Sequence, residues 1–496
     1  MSYFLSALSG LLLILCFPPF DLGFLAWIAL VPLFIAIDKK KDIKGFTFSF
    51  FCGLIFFSVS AFWVSVFHPL ALPLGVIYLS LFYGLFGFVI CFKGGFSFPF
   101  IQPILLASVW TGIEYLKTMG FLGFPWFSLG YTQYKFLGLI QISRYTGVWG
   151  VTFLIVLFNA GLSQVFLKKR LDKFFVSTAV IISIIFLWGN SAIKKSSQKE
   201  ILPLNNPSSH QLNVAVIQGN FDVYTYFPAD AVLSRLGPLS MQAVKQNKID
   251  LVVWTETVLL EDIQKDEVLK KRLIQFVKEM DCYLLLGMPS YQTIENERKH
   301  FNSAVLISPD GGISYYNKNH LVPFGELVPG NKKFDFMAKF AVLIESGEYD
   351  PDSESRVLDM GKGKFGTMIC FEGIFGDLAG GFVKRGAKFL VNITEDDWMS
   401  KYPSGMKQHA YMSVFRAVEN KTYYVRAGNS GLSFILDPYG RIIQSMPIKT
   451  QGFFVGKIYL KNNAKTFYTK YGDVFVWGVL FFSVIMLFGK TIKTEL

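Results

Sequence analysis

Three reactive side chains stand where apolar runs of this 496-residue chain stop. The run Lys364-Phe-Gly-Thr-Met-Ile-Cys-Phe-Glu-Gly373 carries a strand into Cys370 and turns at Gly373 towards a helix, in outline a nucleophile elbow. The helix dipole and nearby cations lower the pKa of a thiol so placed, which predicts a thiolate at neutral pH. Leu251-Val-Val-Trp-Thr-Glu256 brings a second strand to an acid able to serve as general base. Asn317-Lys318-Asn319-His320-Leu-Val-Pro-Phe-Gly-Glu326 follows another strand and offers Lys318 as a fixed cation for the oxyanion of a tetrahedral intermediate. His320 competes with Glu256 as base, and spacing does not decide between them. A lone cysteine is more often a buried inert hydrophobe; the acid and the lysine set Cys370 apart as a candidate nucleophile.

The elements that must hold these groups are short strands alternating with amphipathic helices from about residue 210 to 470. Strands are expected at Asn213–Ile217, Leu251–Trp254, Cys282–Gly287, Ser303–Ile307, Phe365–Cys370, Phe389–Asn392, Thr422–Arg426 and Leu432–Leu436. Helices are expected at Ala231–Gln246, Glu267–Met280, Phe375–Lys384 and Met406–Asn420, with hairpin turns at Asp310-Gly-Gly312 and Asp437-Pro-Tyr-Gly440. This is an α/β domain of mixed sheets.

The rest of the chain is different in kind. Overall it is 52% hydrophobic and 17% charged, with 52 Phe and a net charge of +12, against about 25% charged in an ordinary soluble protein. Part of the surface must therefore face lipid. Eight apolar runs are expected to span a membrane: Phe4–Phe17, Leu22–Ile37, Gly45–Phe67, Leu72–Phe92, Pro99–Leu116, Gly147–Leu167, Phe174–Trp188 and Val474–Phe488. The first lacks a basic leader and a small-residue cleavage site, so it reads as a retained span. Lys39, Lys40, Lys41 and Lys44, then Lys93, then Lys168, Lys169, Arg170 and Lys173 fall on one side, as do Lys490 and Lys493. The positive-inside rule makes that side cytoplasmic and puts the segment between the last two spans outside, which for a bacterial inner membrane is the periplasm. The expected division is 1–190, seven membrane helices; 191–210, a linker; 211–472, the catalytic domain; and 473–496, a C-terminal membrane helix. Much of the positive charge belongs to this topology and to anionic lipid, which argues against nucleic acid as a partner. Five cysteines and five histidines without metal spacing predict neither a disulfide framework nor a metal.

Two further segments read as lipid contacts. Trp126, in the loop 117–146, is expected in an interfacial belt or as the wall of a lipid groove. The apolar run Phe334–Ile344, with Phe336 and Phe340, precedes an acidic stretch and is expected either as a core helix or, in the preferred reading, as a lid dipping into the outer leaflet.

Glu, Lys and Cys in this order at strand ends resemble the nitrilase superfamily. The chain further resembles the apolipoprotein N-acyltransferase family along nearly its whole length, through Phe17-Pro-Pro-Phe20, Trp27 to Pro32, Glu114, Gly123-Phe-Pro-Trp126, Val216 to Asn220, Lys318 to Glu326, Gln408-His409 and Arg416-Ala-Val-Glu419. The resemblance implies a nitrilase-like αββα sandwich joined to an eight-helix membrane domain in the bacterial inner membrane. It implies transfer of an acyl chain from a glycerophospholipid to the α-amino group of the diacylglyceryl cysteine of apolipoproteins, without cofactor. By resemblance Glu256 is the base, Lys318 the stabiliser and Cys370 the nucleophile, supported by Glu326 and Glu372. Departures from the family pattern are Phe371 where Tyr is common, Thr255 where Pro is common, Phe227 near the place of a loop Trp, and Glu395 and Asp397 where Asn and a small residue are usual. The alternative is a membrane-anchored nitrilase-type amidase. A transporter with a sensory domain would need intramembrane charges, and apart from Glu114 the spans hold few.

Overall fold

A computed structural model describes residues 1–92, 101–201, 210–294, 296–328, 349–460 and 464–494. The chain divides into two compact units, one of Met1–Leu202, Tyr402–Tyr411 and Tyr471–Leu496, the other of Pro203–Lys401 and Met412–Lys470.

The first unit is helical. Among the described residues four helices are long and apolar enough to cross a membrane, Asp42–Ser60, Ala71–Cys91, Val148–Lys168 and Lys173–Lys195, where eight such runs were expected. Ser2–Cys16, Gly23–Ile37 and Val474–Leu487 are shorter apolar helices, and Gln102–Leu116 has 15 residues. The expected span Leu22–Ile37 is broken into a turn Gly23–Leu25 and helices Ala26–Ala29 and Val31–Ile37, the last with Pro32 in its first turn. Side chains satisfy the backbone freed by the breaks. Leu30 N donates to Asn159 Oδ1 (2.9 Å), Asn159 Nδ2 donates to Ala26 O (2.9 Å), and Leu33 N donates to Ser9 Oγ (2.8 Å). That repair lets an irregular backbone persist inside an apolar unit, where an orphaned amide would cost several kcal/mol. Residues 191–201, expected as linker, continue the helix Lys173–Ile201.

Trp126 is buried, only 3% exposed. Its indole N–H donates to Gln408 Oε1 at 2.9 Å, and Trp63 donates to the same oxygen at 3.0 Å. Gln408 Nε2 donates in turn to Pro18 O at 2.9 Å. An indole needs one hydrogen-bond partner when buried, and Gln408, far along the chain, supplies it. Phe336 and Phe340 lie outside the described residues.

The second unit holds two six-stranded sheets. The strands are β1 His210–Gln218, β2 Leu251–Val253, β3 Tyr283–Ile294, β4 Glu297–Ile307, β5 Ile313–Asn317, β6 Val357–Asp359, β7 Lys364–Ile369, β8 Phe389–Thr394, β9 Tyr423–Gly428, β10 Ser433–Leu436, β11 Ile442–Met446 and β12 Gly452–Leu460. They run in the orders β12-β1-β2-β3-β4-β5 and β11-β10-β9-β8-β7-β6. Each sheet has three parallel central strands, β1-β2-β3 and β7-β8-β9, flanked by antiparallel ones. Parallel strands covered on both faces are near-continuous apolar runs, as Leu251–Val253 and Phe389–Ile393 are. The helices Ala229–Gln246 and Glu267–Met280 cover the first sheet, packing Leu236, Leu269, Leu273 and Val277 against Val252, Trp254, Leu284 and Leu286. Burying each such side chain contributes roughly 1.5–3 kcal/mol. In the second sheet Gly366 lies so close to Phe382 of the helix Gly376–Lys384 that a Cβ there would meet the ring at 2.4 Å.

Candidate active site

Each expected reactive residue sits just past the carboxyl end of a strand, so the sheets fix its position. Glu256 follows β2, Lys318 follows β5 and Cys370 follows β7. Lys318 and Glu256 are buried, 1% and 5% exposed. Lys318 Nζ lies 3.3 Å from Glu256 Oε1 and 2.8 Å from Glu326 Oε1. Asn302, on β4, donates from Nδ2 to both acids, at 2.9 Å to Glu256 and 3.0 Å to Glu326. Glu395 N donates to Glu256 Oε2 at 2.8 Å, and Val322 N to Glu326 Oε2 at 2.8 Å. Breaking a buried pair of this kind leaves an uncompensated charge, so the three groups hold one another in place.

Cys370 has φ +50°, in the left-handed region. A non-glycine residue there costs on the order of 1–3 kcal/mol, a strain found at sites where geometry is imposed. Asn392 Nδ2 donates to Cys370 O at 3.2 Å and Met368 O at 3.1 Å, holding the elbow from the adjacent strand. Glu372, fully buried, ties the elbow to the lysine loop. Its Oε2 accepts from Ile369 N (2.8 Å), while Oε1 accepts from Asn319 N (2.6 Å), His320 N (3.1 Å) and the Tyr316 hydroxyl (2.8 Å). Phe371 sets its ring edge-on to Phe375 at 5.2 Å.

The electrostatics correct one expectation. Burial, and next the negative field of Glu256, push the Cys370 thiol well above its ordinary value, and Lys318 only partly opposes them. This favours the neutral thiol over the expected thiolate, because desolvation of the buried Cys370 outweighs the dipole of one short turn. Burial also raises Glu256, against the pull of Lys318. Burial would lower Lys318, but Glu326 and Glu256 hold it protonated well above the usual lysine range. A neutral thiol, an adjacent carboxylate of raised pKa and a locked ammonium can carry out acyl transfer with proton removal during attack.

His320, the rival base, stacks on Phe375 at 4.5 Å, and its Nδ1 makes no hydrogen bond. Asn302 and the backbone N–H of Glu395 are site groups that the sequence reading did not single out. The polar pair Asn302-Ser303 inside an apolar strand was the available signal for the first. Among the described residues no group of three His, Cys, Asp or Glu is placed to hold a metal.

Residues 9–161 match the family described as apolipoprotein N-acyltransferase N-terminal domain, and residues 213–466 match carbon-nitrogen hydrolase. The chain is 34% identical to an apolipoprotein N-acyltransferase of Geobacter metallireducens over 96% of its own length and 92% of that protein's. The chain belongs to the apolipoprotein N-acyltransferase family. It is similar to two further apolipoprotein N-acyltransferases, at 29% identity each. That of Treponema denticola numbered 1 aligns over 94% of this chain and 90% of the relative, and that of Thermotoga maritima over 100% and 95%. A solved amidase from Nesterenkonia sp. aligns over 55% of this chain and 97% of its own at 18% identity, with a TM-score of 0.39. As a member of the N-acyltransferase family the chain carries a carbon-nitrogen hydrolase domain and apolar helices suited to a membrane.

Proposed function

We propose that this protein transfers an acyl chain from a glycerophospholipid to the N-terminal amine of diacylglyceryl-cysteine apolipoproteins, in two half-reactions through a thioester on Cys370. In the first, Cys370 Sγ attacks the ester carbonyl and its proton passes to Glu256. Lys318 stabilises the oxyanion, and the lysophospholipid leaves with the proton from Glu256. In the second, the acceptor amine attacks the thioester, Glu256 takes its proton, and the thiol is restored as the amide forms. Glu326 and Asn302 hold Lys318 and Glu256 in register, and Glu372 holds the elbow.

The observation that carries this reading is the buried Glu256–Lys318 pair acting on a thiol held in a left-handed elbow. Membership of the family supplies the acceptor. The reading includes the division 1–190, 191–210, 211–472 and 473–496, with eight spans in a bacterial inner membrane and the catalytic domain in the periplasm. The shorter apolar helices Ser2–Cys16, Gly23–Ile37 and Val474–Leu487 would supply further crossings, and the cationic loops support the orientation.

The test is an incubation of the purified full-length protein with phospholipid and a synthetic diacylglyceryl-cysteinyl peptide. N-acylated peptide is the expected product. Free fatty acid with an unmodified peptide would instead make water the acceptor and the protein a hydrolase.

A further inference from the structure

A closed ring of polar groups lies under the nucleophile. β7 and β8 run parallel with Ile369 beside Ile393, so Cys370 and Thr394 follow as neighbours at the ends of the two strands. Asn392 and Thr394 are two residues apart and therefore share a face of β8. Asn392 Nδ2 holds the Cys370 carbonyl at 3.2 Å, while its Oδ1 accepts from Arg426 Nη1, on the residue paired with it in β9. Arg426 Nη2 reaches Asp396 Oδ2 at 2.7 Å, and Asp396 Oδ1 accepts from the Thr394 hydroxyl at 3.0 Å. That hydroxyl also hydrogen-bonds the Cys370 sulfur, which closes the ring from the carbonyl of Cys370 to its side chain. Asn392, Thr394, Asp396 and Arg426 are all buried. Gly431 leaves room for the carboxylate, since a Cβ there would stand 2.1 Å from Asp396 Oδ2. Removing either charge of a buried pair strands the other, so Asp396 and Arg426 fix each other, and the planar fork of Arg426 fixes Asn392 with them.

The Thr394 hydroxyl has one hydrogen and two acceptors. A neutral thiol accepts weakly, so before reaction the hydrogen belongs to the carboxylate of Asp396. Once the sulfur has given its proton to Glu256 it is an anion, and a hydrogen bond to an anion is the stronger kind. Asp396 can release the hydrogen because Arg426 stays on its other oxygen. The surroundings make such a donor matter. Burial, then Glu256, raises the thiol; Lys318 opposes them, Asp396 adds to them, and the Thr394 hydroxyl again opposes. Lys318 is itself shared between Glu256 and Glu326.

We propose that Thr394 turns its hydroxyl from Asp396 to Cys370 Sγ as the sulfur becomes anionic, and that Asp396 and Arg426 are positioning residues for this turn. This rests on Cys370 being the nucleophile of the reaction above. Thr394 keeps its own proton throughout, and the thiol proton goes to Glu256 as the bond from sulfur to the acyl carbon forms. The same contact serves the second half-reaction, in which that bond breaks and the sulfur leaves as an anion before Glu256 returns a proton to it.

Substitutions at position 394 separate the hydroxyl from its carbon frame. T394V keeps the shape of wild type without the hydroxyl, and T394A differs from T394S in the hydroxyl alone. The full-length protein and these variants are compared in two ways, by the pH dependence of Cys370 alkylation with iodoacetamide in the absence of lipid, and by acyl loading from phosphatidylglycerol in mixed micelles, followed by intact mass. The alkylation midpoint is expected to lie higher in T394V than in wild type and higher in T394A than in T394S. Loading should fall about ten- to a hundredfold within each pair. A role in packing alone would leave T394V like wild type and would shift T394S and T394A together. Midpoints that match or run the other way in either pair would overturn the proposal, as would loading kept in T394V. Should T394V fail to fold, the Ser and Ala variants carry the same comparison. The midpoints are read without lipid, so they decide the role of Thr394 even where wild type takes no acyl chain from phospholipid, a result that would overturn the donor reading alone.

Discussion

Glu372 Oε1 lies 2.6 Å from the backbone nitrogen of Asn319, the residue after Lys318, while Glu372 Oε2 lies 2.8 Å from the nitrogen of Ile369, the residue before Cys370. One buried carboxylate thus joins the loop that carries the cation to the turn that carries the nucleophile. Glu372→Ala would leave several buried amides unsatisfied, at about 1–3 kcal/mol each. The variant is expected to unfold at a clearly lower temperature and to load acyl chains at least about a hundredfold more slowly. A thermal melt together with loading kinetics checks this. A melt like wild type's would mean that Glu372 braces nothing.

The thiol and its base pull against each other. Because Glu256 helps raise the Cys370 thiol, Glu256→Gln should make the thiol more acidic while abolishing acyl loading. The pH dependence of iodoacetamide alkylation gives the first quantity and intact mass the second. A midpoint that stays put or climbs in the variant would contradict the coupling.

For the pH profile the sign follows from which form works. Glu256 must be ionised to accept a proton, and burial raises its pKa above 4.5. Loading should therefore fall as pH drops through a midpoint above the ordinary carboxylate range. Lys318 stays protonated well beyond 10.5, so it contributes no alkaline loss near neutrality. A rate–pH profile whose acid limb lies at or below 4.5 would assign the base elsewhere.

Lys318→Met strands the buried carboxylate of Glu256 and the partly buried one of Glu326, and breaking a buried pair costs about 3–5 kcal/mol. Adding Glu326→Gln should recover part of the lost stability by removing one stranded charge, without recovering loading, because no cation is left for the oxyanion. Chemical denaturation of the two variants beside loading assays tests this. Recovered loading in K318M/E326Q would remove Lys318 from the chemistry.

Much of the second unit was legible because its central strands are unbroken apolar runs ending in polar residues. Phe389–Asn392 and Leu251–Trp254 announce both a strand and where it stops. The missed strands β5, β6, β11 and β12 are peripheral ones. Ile442–Met446 is largely exposed and Gly452–Leu460 contains two glycines, so neither shows the clean alternation that marks a half-buried strand. The positions of Glu256, Lys318 and Cys370 at strand ends were legible from residue types, but the surroundings of the thiol were not. Local sequence reveals a turn and its dipole, whereas the burial that raises Cys370 and the charge of Glu256 that adds to it come from parts of the fold distant in the chain. The burial of Trp126 and the break in segment 22–37 were hidden for the same reason. Their partners, Gln408 and Asn159, lie hundreds and more than a hundred residues away.

The most direct measurement is the intact mass of the detergent-purified protein after incubation with phospholipid, for wild type and Cys370→Ala. The predicted result is a hydroxylamine-labile gain of one acyl chain on wild type and none on the variant. Wild type without an adduct, its Cys370 still open to alkylation, would contradict a thioacyl intermediate drawn from phospholipid.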